Sequence, residues 1–194
     1  MAHCDDEIIC GWPIFQNKNI KKKIIIVSSD LKNKHRLWCS HRKFVFRELC
    51  RSFEIEQECM DYNSEFSVHI KEKKLLEKNI IDILEKNKFD FIYTHNFFGE
   101  YFHPDHIFLF NLIIQKYKNK IIISDIDYTN TKNRFEKKNK IINQNEKVKY
   151  FNKKILNVDL NSNIFVNVRE YYKSFNVWTW RNDLTQKKAS LYLL

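Results

Sequence analysis

What most constrains this chain is the rhythm of its apolar residues. Residues 22–30, KKIIIVSSD, are a short β-branched run ending in turn formers, the pattern of a buried strand. HRKFVFRELCRSF (41–53) then sets Phe44, Phe46, Leu49, Cys50 and Phe53 near a helical period, and EIEQECMDY (54–62) suits a second strand. VHIKEKKLLEKNIIDILEKNK (68–88) is an amphipathic helix, with Leu75, Leu76, Ile80, Ile81, Ile83 and Leu84 on its apolar side and lysines and glutamates on a solvated one. FDFIYTHN (89–96) reads as a strand and FFGEYF as a loop. A helix opens at Pro104, and KIIISDID (120–127) is a further strand. Strands and helices alternating at these lengths predict an α/β fold with a mostly parallel sheet and helices on both faces.

The remainder of the chain is less regular. Residues 130–154 have no clean period and carry nine Lys or Arg against two Glu, a basic loop or excursion. The tail IFVNVREYYKSFNVWTW (164–180) is aromatic and strand-like. No repeat and no linker marks a boundary, so one domain over 1–194 is expected.

Composition narrows the setting. No apolar run approaches the ~20 residues that cross a bilayer, and no signal-peptide pattern opens the chain, so a soluble cytoplasmic protein is expected. The five cysteines (Cys4, Cys10, Cys39, Cys50, Cys59) are odd in number and contain no C-x-x-C pair, which predicts free thiols in a reducing compartment. The formal net charge of +10 attracts phosphorylated substrates, nucleic acid or anionic lipid alike. No nucleic-acid motif, Gly-rich phosphate loop or G-x-S-x-G nucleophile accompanies it.

Two clusters carry chemistry. In AHCDDE (2–7), His3 and Asp6 are three residues apart; in a helical turn they share a face, while Asp5 points elsewhere by roughly 100°. In HPDH (103–106), Pro104 suits the first position of a helix, His103 its cap, and His106 projects from the first turn. Imidazole and carboxylate are the usual ligands of borderline metals such as zinc. Three protein ligands with a fourth position open to water describe a catalytic site, and His3, Asp6 and His106 would make that set. Taken singly, each cluster is more often a surface or capping arrangement. In a parallel sheet both would fall beyond the C-terminal ends of strands, where such folds place their sites.

AHCDDE followed by HPDH about a hundred residues on resembles the PIG-L (LmbE-like) deacetylases, whose first motif is usually A-H-P-D-D-E. The likeness covers the first ~125 residues by motif and strand order, and THNFFGEYFHPDH is similar to members found with surface-glycan genes. It implies a Rossmann-like sandwich and a zinc-dependent enzyme that hydrolyses the N-acetyl group of N-acetylglucosamine conjugates. His3, Asp6 and His106 would bind zinc or another divalent metal. Asp5 would be the general base toward the attacking water. His103 would steady the oxyanion and give a proton to the departing amine, and Tyr101 stands where some members carry a tyrosine. The basic segment suits an N-acetylated sugar carrying phosphate or a lipid, with at most peripheral membrane contact. A non-catalytic relative that binds sugar or a partner is the alternative.

The sequence also departs from that family. Cys4 replaces the motif's proline, either as a reactive thiol or as a small buried residue. Members place a hydrophobic central strand before the first motif, and here only Met1 precedes it. A shortened chain, another segment in the slot and a degenerate relative are all open readings. Pro13 should stop or kink the first helix, leaving Trp12 as pocket wall or packing. Asp105 either orients His103 or His106, or is a favourable acid in the first turn. Glu100 reads as an exposed acid more readily than as a contact to a sugar hydroxyl, His95 as lining the site or satisfying a buried carbonyl, and Trp178 and Trp180 as a sugar-stacking face or core.

Overall fold

A computed structural model describes residues 1–29, 36–63, 66–69, 73–117, 119–126, 153–177 and 188–194. In chain order its elements are α1 (Asp6–Ile9), α2 (Trp12–Phe15), β1 (Lys23–Ser28), α3 (Arg36–Ser52), β2 (Glu56–Tyr62), α4 (Phe66–His69), α5 (Lys73–Asn87), β3 (Ile92–Tyr93), α6 (Gly99–Phe102), α7 (Pro104–Lys116), β4 (Ile121–Ser124), β5 (Lys154–Asp159), α8 (Ser162–Ser174) and β6 (Lys188–Leu193). The architecture is mixed α/β. The chain forms two compact units, Met1–Phe66 with Asp159–Lys187 and Ser67–Val158 with Lys188–Leu194, neither made from one continuous stretch. Most of the basic segment and both Trp178 and Trp180 lie outside the described residues. No helix among those described is long and apolar enough to cross a membrane.

The first unit is organised by β1, whose β-branched residues pair in parallel with β2, Lys23 opposite Glu56 and Ile26 opposite Cys59. Residues Met1 to His3 run along β1 as well. The Met1 ammonium donates to Ile25 O at 2.7 Å, Met1 O accepts from Val27 N at 3.1 Å, and Ala2 O accepts from Ser28 N at 2.8 Å. A parallel bridge joins His3 to Ser28. Met1 to His3 thus lie beside β1, and they deliver His3 to the strand's C-terminal end.

Helix α3 extends the periodic stretch toward the N-terminus and buries Val45, Phe46, Leu49 and Cys50, while Phe44 stays 47% exposed. The first helix breaks in two, as Pro13 requires: α1 ends at Ile9 and α2 restarts with Pro13 in its first turn. At Gly11 the backbone closes so tightly that an added Cβ would meet Glu7 O at 3.0 Å. Trp12 is fully buried, 5.8 Å from the Phe15 ring and edge-on to Phe165 at 5.5 Å. Its role is packing, and such aromatic pairs contribute about 0.5–1.5 kcal/mol beyond area burial.

The aromatic tail corrects the sequence reading. Residues 162–174 form helix α8 rather than a strand, capped by Asn161 Oδ1, which accepts from Ile164 N at 3.1 Å. Its buried residues Phe165, Val168 and Tyr172 follow the three-and-four spacing of a helix face. Aromatic and β-branched content suggests a strand, but burying one face against the Trp12 cluster decides the outcome.

In the second unit, β3 pairs in parallel with β4, β4 pairs antiparallel with β6, and the strand order is β3-β4-β6-β5. The pairing is thus parallel in the first unit's sheet and mixed in the second's. Helix α5 buries Leu76, Ile80, Ile81 and Leu84, and α7 buries Leu109, Phe110 and Ile113. Leu75, expected on the apolar side of α5, is 48% exposed.

Candidate functional site

The three consecutive acids of the first motif are all buried, and each has a different partner. Asp5 adopts φ 103°, a left-handed conformation costly for a residue with a Cβ. That turn starts α1, since Asp5 O accepts from both Ile8 N and Ile9 N at 3.0 Å. It also sends the Asp5 carboxylate to Arg42 of α3, with which it forms a buried ion pair. Asp6 turns the other way. Its Oδ2 accepts the His3 amide at 2.7 Å and lies 3.3 Å from His3 Nδ1. Glu7 accepts the Asp5 amide through Oε2 at 2.8 Å and the Tyr172 hydroxyl of α8 through Oε1 at 2.5 Å.

Burial dominates the electrostatics of this cluster. It raises the Asp5 carboxyl above its ordinary range, with Arg42 opposing. Glu7 is pushed up to about 8 by burial, which the Tyr172 hydrogen bond only partly offsets. Burial and the Glu7 charge together push the Tyr172 phenol well up. Cys4 is buried and shares a thiol hydrogen bond with Cys59, both cysteines being free, and that contact, with burial, raises the Cys4 thiol. The same contact is the main cause that lowers Cys59, with Lys43 and Arg47 adding to it.

In the second unit the chain leaves β3 through three buried residues, Thr94, His95 and Asn96. Asn96 anchors the turn that follows. Its Nδ2 donates to Ile126 O at 2.8 Å beyond β4, and its Oδ1 accepts from Phe98 N at 3.0 Å and Glu100 N at 3.2 Å. Gly99 takes φ +58°, and a Cβ there would stand 3.0 Å from His106 Cβ. Glu100 follows at φ 55°, which makes α6 an irregular turn. Its carboxylate lies 2.9 Å from Nδ1 of His95 and 2.9 Å from Nδ1 of His106. Burial alone would raise Glu100, but the two imidazoles hold it down at about 2.

Helix α7 opens as expected. His103 is its N-cap, with Nδ1 accepting from Asp105 N at 3.2 Å, and Pro104 stands in the first turn. Asp105 is fully buried, and its Oδ1 accepts from Ser67 N at 2.9 Å and from Ser67 Oγ at 2.5 Å. It thereby ties the helix start to α4. The His103 and His106 rings stack at 4.7 Å between centroids, and the Tyr101 ring stands edge-on to His106 at 5.1 Å.

Each unit therefore brings together the residues its own motif supplies. His3 joins Asp6 in the first; Tyr101, His103 and His106 come together in the second. The structure adds Glu7, Arg42 and Tyr172 to the first group, and Glu100 and His95 to the second. Glu100, expected at the surface, is instead 1% exposed. The available signal for it is Gly99, a residue suited to a turn with positive φ, immediately before an acid flanked by histidines. Arg42 and Tyr172 have no local signal, because their partners lie far off in sequence.

The donor chemistry fits a borderline divalent metal. A tetrahedral ion with bonds of ~2.0–2.1 Å spaces its ligand atoms by about 3.4 Å; His3 Nδ1 and Asp6 Oδ2 stand 3.3 Å apart. In the second unit the ligand-type atoms of His103 and His106, and those of His95, Glu100 and His106, lie within 4.8 Å of one another. No protein-family model matches the chain, and no curated protein matches it either.

Proposed function

We propose that this chain is a zinc-dependent amidohydrolase that removes the N-acetyl group from an N-acetylglucosamine-type sugar in glycan or glycoconjugate biosynthesis. The observation that carries the reading is the convergence of His3 and Asp6, two ligand types at ligand spacing, in a motif followed downstream by a helix that opens on two stacked histidines. The Rossmann-like reading of the fold goes with it, supported by parallel pairing of β1 with β2 and of β3 with β4. His3, Asp6 and His106 are the proposed metal ligands. When bound, zinc would polarise the acetyl carbonyl and make water a competent nucleophile near neutral pH.

The chain's own residues carry the proton traffic. Asp5, buried beside Arg42, takes the proton from the attacking water. An amide nitrogen leaves only when protonated. His103 supplies that proton from Nε2, the nitrogen left to carry hydrogen once Nδ1 accepts the Asp105 amide. Tyr101, whose ring lies beside both imidazoles, donates to the developing oxyanion. The +10 net charge favours a substrate bearing phosphate or a lipid-linked phosphate.

One observation favours a second reading. The commitment of Asp5 to Arg42 suits a protein that binds the sugar without cleaving it. Zinc content and acetate release from N-acetylhexosamine conjugates, compared with Asp5→Asn and His106→Ala, separate the two. The enzyme reading expects about one zinc per chain, loss of that zinc in His106→Ala, and loss of acetate release with zinc retained in Asp5→Asn. A chain that binds zinc and sugar but releases no acetate is the binding protein. A chain without zinc sinks the metalloenzyme.

A further inference from the structure

Glu100 meets both of its imidazoles through a single oxygen. Oε2 lies 2.9 Å from Nδ1 of His95 and 2.9 Å from Nδ1 of His106, while Oε1 accepts the Asn96 amide at 2.9 Å. An ionised carboxylate has no hydrogen to give, so each imidazole contact is a hydrogen bond only if that Nδ1 carries the proton. Each neutral ring then keeps its lone pair on Nε2, the geometry that a carboxylate behind a metal-binding histidine enforces. The two rings stack at 3.8 Å with their planes 21° apart.

The backbone is shaped around this arrangement. Glu100 holds φ 55°, a conformation that a residue with a Cβ rarely adopts. Asn96 pins the turn from both sides, accepting the Glu100 amide at 3.2 Å and donating to Ile126 O at 2.8 Å. Gly99 permits the close pass beneath His106. His103, one helical turn from His106, has the opposite arrangement, because its Nδ1 accepts from Asp105 N at 3.2 Å.

We propose that Glu100 is a positioning residue that fixes His95 and His106 in one tautomer, Nδ1–H on both, and so presents an imidazole pair through Nε2 to a divalent cation. The identity of that cation rests on the zinc reading above; the tautomer lock does not. The lock would make His95 a second imidazole with ligand geometry. It would also make Glu100 a determinant of metal affinity that acts only through the rings.

The test is long-range 1H–15N correlation of the histidine side chains in the full zinc-free chain, which reads each tautomer directly. His95 and His106 should both be Nδ1–H and His103 Nε2–H. His106 as Nε2–H, or either clamped ring averaging between tautomers, overturns the proposal without any variant and whether or not the chain binds zinc. Glu100→Gln, verified as folded by circular dichroism, should release at least one ring into a tautomer mixture and weaken zinc binding by about 10- to 100-fold. A folded Glu100→Gln chain with unchanged tautomers and unchanged affinity would refute the clamp. A wild-type chain with locked tautomers that takes up no zinc would refute the metalloenzyme and leave the lock standing.

Discussion

Glu7 and Glu100 are two glutamates with the same burial, each 1% exposed, and they titrate at opposite ends of the scale. Glu7 in the first unit is pushed up to about 8, and Glu100 in the second is held at about 2. Burial raises both carboxyls. They differ in what faces the carboxylate. Glu7 has a phenol and an amide, neither of which takes a positive charge, and Asp5 beside it is an acid. Glu100 has two imidazoles that can become cations, and an amide. Neutral donors soften the cost of burying a charge, whereas a cationic partner reverses it.

The neighbouring pair Asp5–Arg42 offers the strongest way to break that comparison. Replacing Arg42 with Leu leaves Asp5 buried without its cation, and should cost about 3–5 kcal/mol in urea unfolding. Adding Asp5→Asn to Arg42→Leu should restore much of the loss. A single Arg42→Leu that unfolds like wild type would mean that the cation is not what holds the acid.

Next in size is the pH dependence contributed by Glu7. Its folded value lies above the unfolded one, so the folded state binds the extra proton. Its stabilising contribution is complete below 4.5, the ordinary value of a glutamate, and is lost as pH rises through about 8. Within that window the zinc-free chain should lose up to about 1.4 kcal/mol of stability per pH unit from this group. Glu7→Gln, which keeps an oxygen for Tyr172, should flatten the slope. Parallel wild-type and Gln curves would place the titration elsewhere.

Tyr172→Phe sharpens the same point. It removes the hydroxyl that donates to Glu7 Oε1 at 2.5 Å and should cost about 1–3 kcal/mol, the penalty for stripping a buried acceptor of its donor. Because Tyr172 lowers Glu7, the stability slope should also move to higher pH in the Phe variant. A loss without that movement would make the hydroxyl a packing group only.

The smallest effect is expected at Asp61, a carboxylate half in solvent. Its partial burial raises it, but Lys43 and Ser29 outweigh burial and hold it below 3.8. Its contribution is present above that value and is lost as pH falls through the folded one. Screening limits it to about 1 kcal/mol or less. Asp61→Asn should therefore cost that small amount at neutral pH and converge with wild type on the acid limb, and 1 M salt should erase the difference. An effect at neutral pH as large as that of Arg42→Leu would contradict the role assigned to burial.

How much of this was legible in the sequence depends on the range of the interaction. The parallel pair β1–β2, helix α5 and the opening of α7 at Pro104 follow from local apolar period and turn chemistry, and they are present. So is the cap by His103, a contact of two residues' reach. Helix α8 departs from the strand reading because Phe165, Val166, Val168 and Tyr172 are strand-loving residues, whereas the three-and-four spacing of the buried Phe165, Val168 and Tyr172 is the better signal. Strand β6 has no flanking pattern to announce it and gains its identity by pairing with its neighbours β4 and β5. The partners of the buried acids were the least visible, with 165 positions separating Glu7 from Tyr172. Burial of Glu100 has no sequence signal of its own, because an ionisable side chain in a loop is ordinarily exposed.

The chain has only two glycines among 194 residues, and both stand in the turns that serve the motifs. At Gly11 an added Cβ would meet Glu7 O at 3.0 Å, and at Gly99 it would meet His106 Cβ at 3.0 Å. The side chains at these sites supply charge and lone pairs, yet the spacing among them depends on two positions that carry no side chain at all. A mutational map scored for metal uptake should therefore show its least tolerant columns beside the polar residues as well as on them. Even alanine would be rejected at Gly99, where the chemistry of the neighbours is untouched and only their separation changes.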